Sequence, residues 1–407
     1  MEVQHARCAG LDVHQASVVA CARLVVGREV AQHVETFGTT TRELLRLLAW
    51  LAGHGVTHVA MEATGVYWKP VWHVLEGHVP LLLGNAKEIK NVPGRKSDVK
   101  DAVWIADLVA HGLIRASFVP PEPIQELRDL TRTRKQLVAE RTQHVQRIQK
   151  VLEDANVKLA SVLTDILGAS GRAMLDALAA GEQDPATLAQ LAHGRVRASR
   201  AELAEALEGR VRAHHRFLLR LHLRQIDALD SSIAAVEARV EDLLVPFAPL
   251  VRRLTTIPGV SKVVVAVLLA EIGADMGVFP TAGHLVSWAC LAPRQDQSAG
   301  KRRSTRTRQG QWLKATLVQA AWAAVRKKDT YLYAQFHRLR ARRGAKKAIL
   351  AVAASMLTAA YHMLQAETDY IDLGGEFFQR RDKKGVAFRL VQRLQHMGYT
   401  VHLTTAA

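Results

Sequence analysis

The sequence predicts a mixed α/β domain at residues 1–119, an α-helical coiled-coil middle at 120–248, a mainly α domain at 249–365 and a tail at 366–407. Three observations support this division. Apolar, β-branched runs fill the first part, regularly spaced leucines and isoleucines fill the middle, and positive charge is concentrated in the last part. A chain of 407 residues is also too long for one ordinary hydrophobic core.

Residues 6–37 contain three apolar or alternating segments with short polar joints, which predicts an antiparallel meander. A leucine-rich helix follows, beginning near Thr39–Thr41 and ending at Gly53 and Gly55. The segment "VTHVAMEATG" then predicts a buried strand, "YWKPVWHVLEG" a short helix and "VPLLLGNA" another strand. A last helix begins at Ser97 or Asp98 and ends at Gly112. The order βββ-α-β-α-β-α is the RNase H-like (RuvC-like) arrangement, which by itself assigns no function.

The middle of the chain predicts two long helices, at 124–152 and from about 200 to 245, with short helices and loops between them. The second helix has apolar residues alternating three and four apart, an a/d seam: Ile226, Leu229, Ile233, Val236, Val240 and Leu243. Two interpretations remain open. The helix is one arm of a helical hairpin, or it forms a coiled coil that also joins protomers. His214, His215 and His222 on this helix complete no zinc motif and are interpreted as a solvated face.

The segment "LTTIPGVSKVVVAVLLAEIG" predicts a helix-hairpin-helix, whose turn exposes backbone N–H groups that can bind a DNA phosphate without reading sequence. A purely structural turn between two core helices is the alternative. A Gly-, Ser- and Arg-rich loop follows at 294–308. After it come a helix from Trp312, the basic segment "RLRARRGAKK", and an apolar helix at 348–365.

The charge distribution identifies the region that contacts a polyanion. The formal net charge is +17, yet residues 1–119 carry 12 basic and 11 acidic side chains and residues 120–250 carry 18 of each. Residues 251–407 carry 25 basic and 9 acidic side chains, which predicts nucleic-acid binding by this part. The expected phosphate contacts there are Arg294, Lys301, Arg302, Arg303, Arg306, Arg308 and Lys314. Aromatic residues are only 5%, which argues against a base-stacking platform.

The three cysteines, Cys8, Cys21 and Cys290, have no CxxC spacing and form no disulfide framework, which favours a reducing compartment. The chain shows no secretory signal and no run of 18 apolar residues. The expectation is a cytoplasmic protein without a membrane partner.

Four carboxylates form the candidate catalytic and metal-binding set. Asp12 ends the first strand and Glu62 ends the strand before Thr64, while Asp98 and Asp101 lie three apart on the last helix of the domain. An isolated carboxylate in a buried strand is costly, so Glu62 favours a partner such as a metal ion. Oxygen ligands of this kind suit Mg²⁺ or Mn²⁺ in phosphoryl transfer. Arg95, Lys96 and Lys100 are candidates for holding phosphates beside the metal.

The segments "GLDVH", "AMEATGVYW" and "KSDVKDA" resemble the DEDD signature of insertion-sequence transposases with a RuvC-like domain, the bridge-RNA-guided serine recombinases. The region from "IPGVSKVVVAVLLAEIG" to "LAPRQDQSAGK" resembles their second domain, so the resemblance covers essentially the whole chain.

The resemblance implies that the four acids bind Mg²⁺ and that a serine forms a covalent phosphoserine with DNA. It also implies a structured guide RNA that pairs with donor and target DNA, and homodimers or tetramers with composite active sites. The family's serine falls on Ser298 in "DQSAGK", with Ser304 as the local competitor. The chain departs from the family pattern near Ser304, at Gly310–Gln311 and at Lys314, which puts contacts around the serine in doubt.

Other function classes are weighed beside the recombinase. A RuvC-like Holliday-junction resolvase or nuclease would use only the carboxylates, with water as the nucleophile. An actin- or sugar-kinase-like ATPase would need a second copy of the fold and Gly-rich nucleotide loops, where the sequence has long helices instead. A non-catalytic scaffold would need none of the acids.

Overall fold

The computed structural model describes residues 2–27, 29–92, 101–194, 196–294, 296–298, 300–304, 306–310, 312–381 and 383–402. It divides into two compact units, Met1–Val119 and Pro120–Ala407, called the N-terminal and C-terminal units below.

The N-terminal unit is built on a five-stranded mixed sheet. Its strands are β1 (Arg7–Val13), β2 (Ser17–Val26), β3 (Glu29–Gly38), β4 (His58–Glu62) and β5 (Leu81–Gly84), in the order β3-β2-β1-β4-β5. The first three strands pair antiparallel, as the meander predicts, and β4 and β5 add parallel to β1. This architecture is consistent with an α/β nuclease-like domain.

The described residues of the N-terminal unit also form the helices α1 (Thr41–Gly53), α2 (Trp68–Leu75), α3 (Ala86–Asn91) and α4 (Asp101–Ala110). Leucines of α1 and the apolar residues of α2 pack on one face of the sheet. The apolar side of α4 packs with Cys8 and Ala60 on the other face. The short helix α3 has no counterpart in the sequence prediction, because six residues carry too little periodicity to be recognised.

The described part of the C-terminal unit is mainly helical and includes a two-stranded hairpin. Its elements are α5 (Glu122–Asp154), α6 (Leu159–Val162), α7 (Ala169–Ala180), α8 (Pro185–Gln190), α9 (Arg200–Leu207), α10 (Ala213–Leu244), α11 (Ala248–Leu254), α12 (Lys262–Ile272), α13 (Ala282–Trp288), β6 (Asp296–Ser298), β7 (Lys301–Ser304), α14 (Leu313–Ala324), α15 (Tyr331–Arg343), α16 (Ala345–Ala366), α17 (Phe377–Arg381) and α18 (Lys383–His396).

The two long helices α5 and α10 pair antiparallel along their length. The start of α5 shares a core with the end of α10, through Leu127 and Leu244. The end of α5 shares a second core with the start of α10, through Leu152 and Leu219. The predicted seam is buried at Ile226 and Val240 and only half-buried between them, so one neighbouring helix does not cover it fully.

The second long helix does not run unbroken from residue 200, as the sequence predicts. Helix α9 ends at Leu207 and α10 begins at Ala213. The break packs on the end of α5, because a Cβ at Gly209 would lie 2.5 Å from the Ala155 carbonyl oxygen. The Arg210 amide also donates to that oxygen, over 2.8 Å. This tertiary contact outweighs the continuous helical pattern of the sequence.

The segment predicted as a helix-hairpin-helix contains α11, a turn at 255–261 and α12. Ile257 and Val260 in the turn are buried. A Cβ on Gly259, which has φ +79°, would lie 2.6 Å from the Ala324 amide nitrogen of α14. The turn therefore packs closely on α14, and its predicted contact with DNA stays a prediction.

Helix α16 is the one helix, among the described residues, that is long and apolar enough to cross a membrane by length and composition. Its buried residues, among them Val352, Met356 and Leu357, belong to the core of the C-terminal unit. It has the packing of a core helix, and by itself it is weak support for a membrane span.

Candidate active site

Asp12 and Glu62 are brought together by strand pairing. In the parallel register, Leu11 of β1 lies opposite Met61 of β4, so the next residues, Asp12 and Glu62, are neighbours near the carboxyl ends of both strands. Because side chains alternate along a strand, the two carboxylates point to the same face of the sheet as Gly10. The sequence prediction that these two acids share an end of the sheet therefore agrees with the register.

Gly10 allows α4 to approach this face. A Cβ at Gly10 would lie 2.9 Å from the Ile105 carbonyl carbon and would meet the Ala102 carbonyl oxygen and the Ala106 amide nitrogen even more closely. Only a residue without a side chain lets strand and helix backbones come this near. The contact places the first residue of α4, Asp101, near Asp12.

The electrostatics of Asp12 show that three carboxylates share this region. Burial raises the pKa of Asp12, and the charges of Asp101 and Glu62 raise it further. His14 acts in the opposite direction, since its Nε2 lies 3.1 Å from the Asp12 carboxylate. A divalent cation would relieve the repulsion among these acids, so the donor set fits such an ion.

Glu62 has two partners that the sequence interpretation missed. The Thr64 hydroxyl donates to Glu62 Oε1 over 2.8 Å, and Lys90 Nζ on α3 lies 4.0 Å from the same oxygen. The Thr64 contact orients the carboxylate. The position of Thr64, two residues after the acid, was visible in the sequence, whereas Lys90 reaches the site only because α3 forms.

The three described acids are not a tightly closed cluster. Within the described ranges, the group whose ligand atoms all lie within 4.8 Å of one another is Asp154, His214 and His215 in the C-terminal unit. The fourth predicted acid, Asp98, lies outside the described residues, and so do Arg95, Lys96 and Lys100.

The histidine group at the far end of the α5–α10 pair differs from its sequence interpretation. His215 is buried, not on a solvated face. Its Nδ1 accepts the Arg212 amide proton over 3.1 Å and its Nε2 lies 2.6 Å from Asp154 Oδ2. With Nδ1 accepting this amide proton, an Nε2–H group donates to Asp154. The group therefore ties the end of α5 to the start of α10.

Ser298 lies at the tip of a β-hairpin rather than in an irregular loop. It pairs with Lys301, across a turn in which Gly300 has φ +74°. The competing residue Ser304 pairs with Asp296 at the other end of the two strands.

Backbone contacts close the base of this hairpin. Pro293 forms an isolated β-bridge with Thr307, and the Arg294 amide donates to the Arg306 carbonyl oxygen over 3.0 Å. Arg302 and Arg303 belong to β7, and Arg308 follows the hairpin.

Lys314 differs from the other predicted phosphate contacts. Its ammonium group donates to the Thr307 hydroxyl over 2.7 Å and to the Arg308 carbonyl oxygen over 2.6 Å. Burial lowers the pKa of Lys314. The side chain ties α14 to the chain that follows β7, so its contacts favour a role in holding the hairpin over contact with a phosphate.

The buried thiols are poor nucleophiles. Burial raises the pKa values of Cys8 and Cys21 to about 11, so both remain protonated at neutral pH.

Two segments of the chain match protein-family models. Residues 9–157 match the DEDD transposase model of the IS110 type. Residues 251–337 match the model described as transposase, IS116/IS110/IS902 family. The chain carries two IS110-family transposase domains. It is a DNA-processing enzyme of the transposase and recombinase class, and its substrate is DNA. The first domain suggests the use of a divalent metal. No curated protein matches the sequence.

Proposed function

We propose that this transposase is a Mg²⁺-dependent recombinase of an insertion sequence, in which Ser298 is the nucleophile. The observation that carries the proposal is the grouping of Asp12, Glu62 and Asp101 at one end of the sheet. The strand order, with the parallel strands β4 and β5 added to an antiparallel meander, supports the RNase H-like interpretation.

The carboxylates of Asp12, Glu62, Asp98 and Asp101 would hold the cation. When bound, Mg²⁺ or Mn²⁺ supplies Lewis-acid stabilisation of the charge on the phosphoryl oxygens. Thr64 orients Glu62 through its hydroxyl group, and the close α4–β1 packing at Gly10 fixes the position of Asp101. The protein thus contributes carboxylates whose positions are set before DNA binds.

The covalent step transfers a phosphoryl group to Ser298. A bond forms between the serine oxygen and the phosphorus, one phosphorus–oxygen bond to deoxyribose breaks, and the released deoxyribose hydroxyl takes up the proton. A hydroxyl of the exchanging strand then attacks the phosphoserine and restores the phosphodiester and the free serine. Lys301, which pairs with Ser298 in the hairpin, would balance the phosphoryl charge.

The test is the covalent adduct. The native element's DNA, with its flanking RNA and Mg²⁺, is incubated with the protein. Adducts are then separated under denaturing conditions and their modified peptide is sequenced by mass spectrometry. Ser298→Ala is expected to abolish the adduct and strand exchange.

Ser304→Ala is the matched control, since it lies in the same hairpin at the opposite end and should retain the adduct. An adduct mapped to Ser304 would overturn the assignment of Ser298. Cleavage by Ser298→Ala at the wild-type rate, without an adduct in either protein, would support the resolvase that uses water and the carboxylates alone.

The proposed partners are donor DNA, target DNA and a structured guide RNA, and the proposed assembly is a homodimer or tetramer. The concentration of positive charge after residue 250 supports nucleic-acid binding, and the helix-hairpin-helix segment is a candidate contact. The half-buried residues Leu229, Ile233 and Val236 of α10 are the candidate protomer contact. Sequencing of RNA that copurifies from cells holding the intact element tests the guide. Sedimentation of Leu229→Lys against wild type tests the assembly.

A further inference from the structure

A basic cleft of about 780 Å³ lies between the base of the β6–β7 hairpin and the start of α16. Its floor is apolar and includes Leu291, Leu350 and Ala354. Its rim carries five cationic side chains contributed by the hairpin base, by the end of α15 and by the start of α16: Arg294, Arg306, Arg343, Lys346 and Lys347. Three of these, Arg343, Lys346 and Lys347, belong to no site described above.

Cationic side chains predominate among the described polar residues that line this cleft. Within the part of the chain that the structure describes, no acidic residue lines it. Among the described residues, Arg294, Arg343, Lys346 and Lys347 make no ion pair. From Gln297 to Ala366 the sequence contains a single acidic residue, Asp329, and it lines a different pocket. Cations gathered at one cleft repel one another unless an anion joins them.

The lining of the cleft indicates which anion it fits. Five separate cations around one opening suit a chain of phosphates better than a single small anion, because each can contact a different phosphate. The described lining residues include no aromatic side chain on which a base could stack. The cleft therefore suits contacts to the phosphate backbone, which do not depend on the base sequence.

The cleft is also continuous with the β6–β7 hairpin, which carries Ser298. Arg294 and Arg306 on its rim are joined by a backbone hydrogen bond at the base of that hairpin. A strand held in the cleft would therefore leave it beside the element that carries Ser298 at its tip.

We infer that the cleft is a phosphate-backbone binding site for nucleic acid, with Arg343, Lys346 and Lys347 as its outer wall. The inference rests on the proposed function, because it takes the nucleic-acid partner from there. It adds a binding surface on α15 and α16. None of the phosphate contacts predicted from the sequence lies on these two helices.

The test compares two variants that remove the same charge from different places. Arg343→Gln, Lys346→Gln and Lys347→Gln are combined in one variant. Arg326→Gln, Lys327→Gln and Lys328→Gln, at exposed positions after α14 and outside the cleft, form the matched control. All six side chains are exposed, so both variants should fold, and thermal unfolding checks this.

Binding of the full-length chain to a short duplex of arbitrary sequence is measured by fluorescence anisotropy over a series of salt concentrations. The cleft variant should bind about tenfold or more weakly at about 0.1 M salt, and its salt slope should fall by about 2 to 3, close to one per lost phosphate contact. The control should change both quantities much less. Equal losses in the two variants would show a general charge effect and would overturn the site.

Single-stranded DNA and an RNA hairpin serve as further probes. A larger loss for one probe identifies the strand type that occupies the cleft, and an equal loss for all three fits recognition of the backbone alone. As a measurement without mutation, acetylation of Lys346 and Lys347 should be slowed by bound duplex more than acetylation of Lys327 and Lys328. Absence of that protection would contradict the inference.

The two proposals can fail separately. A wild-type chain that binds DNA through the cleft yet forms no serine adduct contradicts the proposed nucleophile alone. A cleft variant that binds as tightly as wild type, in a protein whose Ser298 forms the adduct, contradicts the cleft alone.

Discussion

In the N-terminal unit, basic and acidic side chains nearly balance, and two of the candidate carboxylates, Asp12 and Glu62, lie near the ends of paired strands. In residues 251–407, cations outnumber acids by 25 to 9 and lie on a hairpin, at helix ends and around an open cleft. The contrast follows from the ligands these regions suit. A metal ion needs a few acids at fixed positions, whereas a nucleic-acid backbone needs many cations spread over a surface.

The rigidity of the two regions also differs in origin. The N-terminal acids are fixed by sheet register and by the close approach of α4 to Gly10. The C-terminal hairpin has its own backbone pairing, and side-chain hydrogen bonds from Lys314 also tie the chain after β7 to α14. We therefore expect substitutions of the N-terminal acids to act mainly on catalysis, and substitutions of buried charges in the C-terminal unit to act mainly on stability.

The largest expected effect is that of Asp12→Asn on DNA cleavage. Removing one carboxylate charge from the proposed cation site should lower the cleavage rate about a thousandfold or more, equivalent to about 4 kcal/mol. The measurement is the single-turnover rate of cleavage of the native element's DNA. Glu76→Gln, an exposed residue after α2, is the control and should leave the rate unchanged. A rate for Asp12→Asn within tenfold of wild type would contradict the catalytic role of this acid.

A smaller effect is expected from Glu271→Gln, which tests the packing of the C-terminal unit. Glu271 on α12 is buried and accepts two hydrogen bonds of 2.8 Å from Arg132 on α5. Loss of its charge leaves Arg132 without the carboxylate that it contacts, which should lower the free energy of unfolding by about 3 kcal/mol. Urea unfolding measures the change.

The control for Glu271→Gln is Glu241→Gln, which removes a carboxylate from an exposed position on α10. It should change stability by less than about 0.5 kcal/mol. Equal effects of the two substitutions would show that the buried ion pair is not what holds α5 to α12.

The smallest expected effect on stability is that of Gly10→Ala in the N-terminal unit. The added methyl group meets the backbone of α4, so helix and strand must separate at a cost of about 1–3 kcal/mol. Urea unfolding measures this cost, and cleavage should fall as well because Asp101 moves with α4. Gly53→Ala, at the end of α1 with open space around it, should be neutral or slightly stabilising. A Gly10→Ala protein as stable as wild type would contradict the close packing.

Some features of the molecule follow from local sequence. The strands of the N-terminal unit are predicted because β-branched apolar runs are bounded by polar joints, and the long helices because their apolar residues keep a helical spacing. The positions of Asp12 and Glu62 at strand ends, and the concentration of cations after residue 250, are likewise properties of the sequence alone.

Other features depended on contacts between distant residues, which no local pattern records. The approach of Asp101 to Asp12 requires Gly10 and α4 to meet across 91 positions of chain. The break before α10 requires Gly209 to pack on Ala155, and the burial of His215 requires Asp154 from α5. The basic cleft joins Arg294 to Lys347 only when the hairpin base and the start of α16 come together. The sequence therefore determined the kinds of charged group present, and tertiary packing decided which of them act together, because charge interactions depend on distance in space.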